Sequence, residues 1–394
     1  MTIWAMWDEL AGVGRAGTGG YRRFAWTRED HDLREWFAGQ AAARGLDMVG
    51  DRAGNQWAWW GDPDTEGPGV VIGSHLDSVP DGGAFDGPLG VVSAFAAVDA
   101  LRAAGVRPSR PVGVVHFGDE EGARFGIACA GSRLLTGALD ADRARGLTDG
   151  DGVSMAAAMA AAGLDVEHVG PDSTALRRVE TFVELHVEQG RGLVDLDAAV
   201  AVGSAIRPHG RWRFDLPGEA NHAGTTRLAD RRDPMLALAA VVVGARNAAV
   251  RNHTVATCGK LLVEPNGVNA IPSRVTGWLD ARGPLRERVL ATVAEVSALV
   301  EAHGGLVAQE SWTEVTRFDP ALAGELAGLL GGAPILDTGA GHDAGILSAA
   351  GIRTAMLFVR NPTGVSHSPQ EHAEPADCEA GVSALASVLA HLVA

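Results

Sequence analysis

Cysteine is scarce in this sequence: Cys129, Cys258 and Cys378 are the only three among 394 residues. They lie far apart, are odd in number and form no Cys-x-x-Cys pair, so the sequence offers no disulfide framework. Free thiols are typical of proteins that remain in a reducing compartment. We therefore expect a cytoplasmic protein whose cysteines are unpaired.

Positive charge is also in short supply. The chain has 33 Lys and Arg residues against 49 Asp and Glu residues, which gives a formal net charge of −16. This imbalance argues against nucleic acid and against an anionic membrane surface as partners. The sequence pattern suggests no stretch that is long and apolar enough to span a bilayer. The first residues lack a signal-peptide pattern, because Asp8 and Glu9 precede the first arginine.

The most informative stretch is residues 70–87. Its first part is a short apolar run rich in β-branched residues, which predicts a buried strand that carries His75 and Asp77 to its C-terminal end. A glycine-rich turn then presents Asp86, and Pro88 stands at the favoured first position of a helix. Imidazole and carboxylate ligands suit divalent metals, and a carboxylate can bridge two of them. The alternative is a loop histidine held by a nearby acid.

Three further apolar runs end in acidic or histidine-containing loops. Residues 112–117 lead to Asp119, Glu120 and Glu121, residues 181–185 lead to His186, and residues 354–359 lead to the loop that contains His367. Three adjacent acids repel one another unless cations are present. A solvated acidic turn is the simpler explanation for the triplet alone, but packing does not explain four strand ends of this kind. Together they predict a metal site.

The length of the chain and its apolar content of 46% predict a large core and two domains. Between the third and fourth runs, the sequence pattern of residues 208–317 differs from the rest, with strand-like and helix-like segments in the order β-α-β-β-α-β. That order is the ferredoxin-like arrangement. We therefore predict a domain of residues 208–317 inserted into a catalytic domain formed by residues 1–207 and 318–394.

Six motifs, spread over nearly the whole chain, carry a family resemblance. They are residues 73–79 (GSHLDSV), 82–87 (GGAFDG), 120–122 (EEG), 184–190 (ELHVEQG), 221–226 (NHAGTT) and 366–371 (SHSPQE). In this order they resemble the dinuclear metallohydrolases of the aminoacylase/carboxypeptidase clan. Within that clan they are most similar to the N-carbamoyl-L-amino-acid hydrolase, β-ureidopropionase and allantoate amidohydrolase branch. The resemblance implies an α/β fold with a central mixed sheet flanked by helices, and an inserted α+β lid and dimerisation domain.

The resemblance also implies a role for individual residues. Two divalent ions, which could be zinc, manganese, cobalt or nickel, would be held by His75 and His186 and by Glu121 and His367, with Asp86 as the bridge. Glu120 would be the general base and His222 the donor to the oxyanion. The implied substrate-binding residues are Gln189, Asn269, Arg282 and His342. Without the resemblance, Asn269 would be interpreted as a turn residue and Arg282 as a surface ion pair.

The sequence departs from the family pattern at Arg227-Leu228, where Pro-Met is usual, and at Arg191, where proline is common. These departures concern specificity rather than the chemistry. The expected reaction is hydrolysis of an N-carbamoyl-L-amino acid, a small ureido substrate with a carboxylate, to the amino acid, carbon dioxide and ammonia. Allantoate amidohydrolysis is the main alternative, and a peptidase, an N-deacylase or a non-catalytic binding protein is less favoured. Family resemblance and a predicted edge strand of the inserted sheet indicate a homodimer.

Overall fold

The computed structural model describes residues 2–394 as two compact units. The first unit runs to Ala205 and resumes from Arg317 to Ala394, and the second is Ile206–Thr316. The strands are β1 Asp47–Gly50, β2 Gln56–Trp60, β3 Gly69–His75, β4 Val112–Phe117, β5 Val179–Val187, β6 Val200–Ile206, β7 His209–Pro217, β8 Asn221–His222, β9 Val255–Glu264, β10 Ala270–Ile271, β11 Arg274–Arg282, β12 Leu306–Thr313, β13 Thr316–Arg317, β14 Ile335–Thr338 and β15 Arg353–Val359.

Thirteen α-helices cover or connect these strands in the described part of the chain. They are α1 Ile3–Leu10, α2 Arg28–Ala43, α3 Pro88–Ala103, α4 Ala130–Thr136, α5 Ala141–Gly146, α6 Met155–Ala161, α7 Ser173–Arg177, α8 Gly192–Asp195, α9 Pro234–Asn252, α10 Arg286–Ala302, α11 Pro320–Leu329, α12 Asp343–Ala349 and α13 Pro375–Leu392, with one 3₁₀ turn at Leu228–Asp230. Their starts follow ordinary capping chemistry. Thr27 accepts a hydrogen bond from the amide of Asp30 at the start of α2, and Pro88 is the first residue of α3.

The first unit is built on a nine-stranded mixed sheet. The strand order is β1-β2-β4-β3-β5-β15-β6-β13, and β14 pairs with β6. Strands β4, β3, β5 and β15 are mutually parallel neighbours, whereas β1, β2 and β6 pair antiparallel. The expected α/β fold with a central mixed sheet is therefore confirmed.

Helix α3 explains why the central strands read as continuous apolar runs. Twelve of its sixteen residues are buried, and it packs against β3, β5 and α13. A strand that is covered on both faces needs no polar alternation. Strand β3 is accordingly buried along its whole length, so the position of His75 at its end is fixed by packing on all sides.

The second unit is a four-stranded antiparallel sheet with two long helices. The strand order is β12-β7-β11-β9, and chain order gives β7-α9-β9-β11-α10-β12. This is the ferredoxin-like arrangement that the sequence pattern indicates. Its core joins apolar residues of the sheet to the inner faces of α9 and α10.

Helix α9 corrects one expectation. Its 19 residues are long and apolar enough to cross a membrane, although no such stretch was expected from the sequence. Leu238, Val241 and Ala245 nevertheless lie in the core of the second unit, where the helix packs on α10 and the sheet. The apolar composition of α9 therefore has a role in packing this unit.

Gly73 offers a test of how tightly the strand that carries His75 is held. Its φ is 149°, and a Cβ atom at this position would lie 2.0 Å from the carbonyl oxygen of Val115 on β4. Because the obstacle is backbone, we expect Gly73→Ala to lower the free energy of unfolding by at least about 2 kcal/mol.

The matched control is Gly39→Ala, since Gly39 is a helical residue of α2 whose added methyl would meet nothing within 4 Å. This change should be neutral or stabilise by up to about 1 kcal/mol. Denaturant unfolding of both variants measures the difference. Equal stability of the two would show that β3 and β4 can separate at Gly73 without cost.

Candidate metal centre

The parallel strands bring the acidic and histidine-containing loops to one place. In the order β4-β3-β5-β15 the four strands are adjacent, and parallel pairing puts their C-terminal ends at the same edge of the sheet. This edge is where open α/β sheets bind ligands. The side chains that follow the strands are therefore neighbours in space although they are up to 292 positions apart in sequence, from His75 to His367.

Two groups of side chains at this edge have the spacing of metal ligands. His75, Asp86 and His186 form one group, and Asp86, Glu121 and His367 form the other, with the ligand atoms of each group within 4.8 Å of one another. One oxygen of Asp86 lies 3.1 Å from Nε2 of His186 and 3.7 Å from Nε2 of His75. Its other oxygen lies 3.3 Å from Nε2 of His367. Asp86 thus belongs to both groups.

The hydrogen bonds of His75 and His186 use Nδ1 and leave Nε2 available for a metal. Nδ1 of His75 is 3.2 Å from the carbonyl oxygen of Asp77, and Nδ1 of His186 is 2.9 Å from the carbonyl oxygen of Val187. A carbonyl only accepts, so each Nδ1 donates and each neutral ring has its lone pair at Nε2. Both Nε2 atoms are buried and lack a hydrogen-bond partner among the described residues. This arrangement fits a divalent cation.

The electrostatics of the cluster point in the same direction. Burial and the charge of Asp86 raise the pKa of Glu121 to about 7. A hydrogen bond to Asp86 and the charge of Glu121 raise the pKa of His367 to about 9, although burial acts in the opposite direction. Taking up a proton or pairing with positive charge therefore stabilises the buried carboxyl of Glu121. A divalent cation would supply that charge.

Asp77 organises the loop after β4. Its two carboxylate oxygens accept hydrogen bonds from the amides of Glu120 and Glu121, at 3.1 and 3.0 Å. Nδ1 of His75 is closer to the carbonyl oxygen of Asp77 than to its carboxylate, at 3.2 Å against 3.5 Å. Asp77 therefore fixes the backbone that presents both acids.

Asp86 is held by a second set of contacts. Glu371 accepts hydrogen bonds from the amides of Phe85 and Asp86 through one oxygen and from the hydroxyl of Ser366 through the other. The amide group of Gln189 donates to Asp86 at 3.0 Å. Glu371 therefore ties the turn that contains Asp86 to the segment that contains His367, and Gln189, which was expected to contact substrate, here contacts Asp86.

The three adjacent acids after β4 have different environments. Glu120 is buried, and one of its oxygens lies 3.8 Å from Nε2 of His75. Burial raises the pKa of Glu120 well above its usual range, and the charges of Asp343 and Glu121 add to this effect while His75 opposes it. Asp119 is in neither ligand group, and its buried carboxyl has no hydrogen-bond partner in residues 2–394.

His342 lies against the first ligand group. Its ring is 4.5 Å from that of His186, in an edge-to-face arrangement, and its buried Nε2 lacks a hydrogen-bond partner among the described residues. Burial lowers the pKa of His342 well below its usual range, so the ring is neutral at pH 7. A neutral imidazole beside His186 adds no positive charge to the cluster.

The sequence did not predict the role of two buried residues that form hydrogen bonds around the site. Glu184 accepts hydrogen bonds from the hydroxyl of Ser74 and the amide of Ala344, which links β5 to β3 and α12. The thiol of Cys129 donates to Glu120 at 3.2 Å. An acid between apolar residues of a strand was a signal for Glu184, whereas nothing in the sequence indicated the contact of Cys129.

The second unit carries three residues that were expected to contact substrate. His222 and Asn269 lie together, because β8 pairs with β10 and the amide of Ala223 donates to the carbonyl of Asn269. Nδ1 of His222 accepts from the amide of Gly224, so a neutral ring carries its proton on the exposed Nε2. Arg282 lies at the end of β11, where it forms a two-point ion pair with Asp280.

The chain is similar to known amidohydrolases over almost its whole length. The profile of Peptidase family M20/M25/M40 matches residues 71–391. The N-carbamoyl-L-amino acid amidohydrolase of Geobacillus stearothermophilus is 36% identical, and the alignment covers 99% of this chain and 97% of that protein. The allantoate amidohydrolase of Escherichia coli (strain K12) is 31% identical, with 97% and 95% covered.

A solved structure agrees with these sequence matches. The crystal structure of AtUAH in complex with glyoxylate superposes with a TM-score of 0.88 at 26% identity, covering 99% of this chain and 97% of that chain. The resemblance drawn from the six motifs is thereby confirmed. The chain belongs to peptidase family M20/M25/M40, and it is a hydrolase that acts on amide bonds.

Proposed function

We propose that the protein hydrolyses the ureido group of N-carbamoyl-L-amino acids, releasing the amino acid, carbon dioxide and ammonia. The observation that carries this proposal is the pair of ligand groups that share Asp86 and adjoin the buried Glu120. The similarity to the Geobacillus enzyme supports the choice of substrate. The unpaired cysteines support a cytoplasmic location.

In this proposal the site holds two divalent ions. His75 and His186 would hold one of them, Glu121 and His367 would hold the other, and Asp86 would contribute to both groups. Histidine and carboxylate ligands accept zinc, manganese, cobalt and nickel. The bound ions would lower the pKa of water at the site and polarise the ureido carbonyl, which is a poor electrophile because nitrogen lone pairs feed it.

Glu120 acts as the proton carrier. Its oxygen that faces His75 takes a proton from the attacking water as the new C–O bond forms. The same carboxyl then gives that proton to the leaving nitrogen as the C–N bond breaks. Burial suits this role, because a carboxyl that is removed from solvent binds a proton more readily than an exposed one.

Allantoate is the second candidate substrate. It also carries a carboxylate and ureido groups, and the similarity to the Escherichia coli allantoate amidohydrolase favours it nearly as strongly. The catalytic groups serve both substrates equally well. The difference must therefore come from residues that contact the rest of the substrate.

Substrate choice and metal dependence can be tested in one experiment. Protein stripped with a chelator should be inactive, and protein reloaded with zinc, manganese, cobalt or nickel should release ammonia from N-carbamoyl-L-amino acids faster than from allantoate. An N-acetyl amino acid and a dipeptide are included, with the free amino acid as the readout. Faster release from allantoate would favour the second candidate. Cleavage of the acetyl or peptide substrate alone, or full activity without metal, would overturn the proposal.

The second unit supplies His222, Asn269 and Arg282, but its geometry separates them. Arg282 pairs with His209 at one end of the sheet, and Arg274 pairs with Pro217 at the other end. The chain segments that continue from this second end carry His222 on β8 and Asn269 immediately before β10. Eight residue steps along β11 span roughly 26 Å. Because a small substrate is much shorter than this, Arg282 and the pair His222 and Asn269 of one second unit serve two different sites.

In a homodimer, Arg282 and the pair His222 and Asn269 of one second unit can serve two different sites. Strand β9 ends the sheet order of the second unit, and no strand within residues 2–394 pairs with its outer edge. Large apolar side chains are exposed on this strand and on α9: Leu236, Val243, Val250, Val255, Leu261 and Leu262. An unpaired edge beside exposed apolar surface is suited to pairing across a two-fold axis. In such a dimer His222 and Asn269 act on the substrate of the partner subunit.

The role of Glu120 is tested by Glu120→Gln. The carboxamide keeps the shape of the side chain but cannot take up a proton, so turnover should fall by several orders of magnitude while the bound metal is retained. Metal analysis and steady-state kinetics measure both quantities. Glu180→Gln is the control, because Glu180 is an exposed residue of β5 that pairs with Arg110. Turnover of Glu120→Gln near that of this control would remove Glu120 from the mechanism.

The shared site is tested by mixing two inactive proteins, Glu120→Gln and His222→Ala. If His222 serves the partner subunit, a mixed dimer has one intact site and activity should return after subunit exchange. Light scattering gives the mass of the particle, and differently tagged subunits report exchange. If exchange is complete and activity remains absent, His222 serves its own subunit.

A further inference from the structure

We propose that Cys129 is a positioning residue for Glu120: its thiol holds one oxygen of the Glu120 carboxyl so that the other is presented for proton transfer. The inference rests on the proposed function, because it assumes that Glu120 carries the proton. It assigns a task to a side chain that the metal groups and the substrate contacts do not use.

The contact joins two buried groups. Sγ of Cys129 lies 3.2 Å from Oε1 of Glu120, and the two residues are only 3% and 6% exposed. The other oxygen, Oε2, is the one that lies 3.8 Å from Nε2 of His75. The two oxygens therefore have different partners, and the thiol fixes which of them faces the ligand group.

The thiol acts as a donor in this contact. A carboxylate oxygen accepts, so the hydrogen must come from sulfur. Burial raises the pKa of the Cys129 thiol well above its usual range, and the charges of Glu120 and Asp343 add to this, so the sulfur keeps its proton at neutral pH. A thiol beside a carboxyl in a buried site cannot exchange this partner for water.

The backbone around Cys129 reinforces the contact. The amide of Cys129 donates to the carbonyl of Glu120, and the next two amides, of Ala130 and Gly131, donate to the carbonyls of Asp119 and Gly118. The start of α4 is thus bonded residue by residue to the turn that carries Glu120. This ladder holds Cβ of Cys129 at a fixed distance from the Glu120 side chain.

Cys129 also adopts an unusual conformation. Its φ is 55° and its ψ is 37°, in the left-handed region that costs a side-chain-bearing residue about 1 kcal/mol. Glycine would avoid this cost but would have no group to offer Glu120. The left-handed conformation is therefore consistent with a position at which the side chain has a task. Glycine is the substitution that this backbone conformation accepts without strain.

The test compares variants that keep or remove the donor. Cys129→Ala and Cys129→Gly remove it, and the glycine variant also relieves the left-handed strain, so at least one of the two should fold well. We expect kcat to fall about three- to tenfold in both, with KM and metal content unchanged, since one buried hydrogen bond is lost. Cys129→Ser keeps a donor and should retain most of kcat.

Cys378→Ala is the matched control, because Cys378 is fully buried in α13 and belongs to neither ligand group. Its kcat should equal that of the unchanged protein, measured with whichever of N-carbamoyl-L-amino acid or allantoate is hydrolysed faster. Unchanged kcat in folded Cys129→Ala or Cys129→Gly overturns the inference. An equal loss in Cys129→Ser also overturns it, because packing rather than the donor would then matter.

Glu120→Gln, measured in the same assay, separates the proposed role of Cys129 from the proposed role of Glu120 as the proton carrier. If Glu120→Gln is inactive while the Cys129 variants keep full kcat, only the role of Cys129 is wrong. If Glu120→Gln keeps its turnover, the proposed role of Glu120 fails first. In that case a loss in the Cys129 variants would have to act through another group.

Discussion

The burial of several carboxyl groups at one edge of a sheet is the constraint on which the rest of the first unit depends. Asp77, Asp86 and Glu120 are only 2%, 4% and 6% exposed, and Glu121 lies beside them. Charges of one sign that are removed from water are costly unless each finds a proton, a donor or a cation. The surrounding residues are therefore best understood by which of these three each acid receives.

The acids are satisfied in different ways. Asp77 receives two backbone amides, so its charge is used to shape the loop after β4. Asp86 accepts a hydrogen bond from Gln189 and lies beside the histidines of both ligand groups, and Glu371 accepts from the amides of Phe85 and Asp86. Glu120 receives a weakly donating thiol at one oxygen, and its other oxygen lies 3.8 Å from Nε2 of His75. An acid with such weak support remains able to take up a proton, which is what a general base requires.

The strands and helices were largely predictable, because their signals are local. Four apolar runs predicted β3, β4, β5 and β15, and Pro88 marked a helix start that the structure retains. That these strands are adjacent and parallel is a property of the whole chain. The four similar strand ends predicted a shared metal site, but the sequence did not predict the order or the direction of the strands.

The hydrogen bonds that Glu184 and Cys129 make with residues of the site were not predictable, because they are not local signals in the sequence. Glu184 and Cys129 act through residues that are 110 and 9 positions away, and neither contact leaves a periodic pattern. The same holds for Asp77, whose backbone carbonyl makes a shorter contact with His75 than its carboxylate does. Backbone donors and acceptors are identical at every position, so a sequence does not show which of them a side chain will meet.

The two ligand groups differ in how firmly the fold holds them. His75 and His186 lie on buried strands, where packing on every side fixes their rotamers. His367 follows β15 in a loop, has a left-handed φ of 55° and exposes 51% of its side chain. Ordering an exposed side chain costs conformational entropy that a packed one has already lost on folding. The contacts of Asp86 and Gln189 with His367 offset part of that cost, so the more exposed half of the site depends on the acid that both halves share.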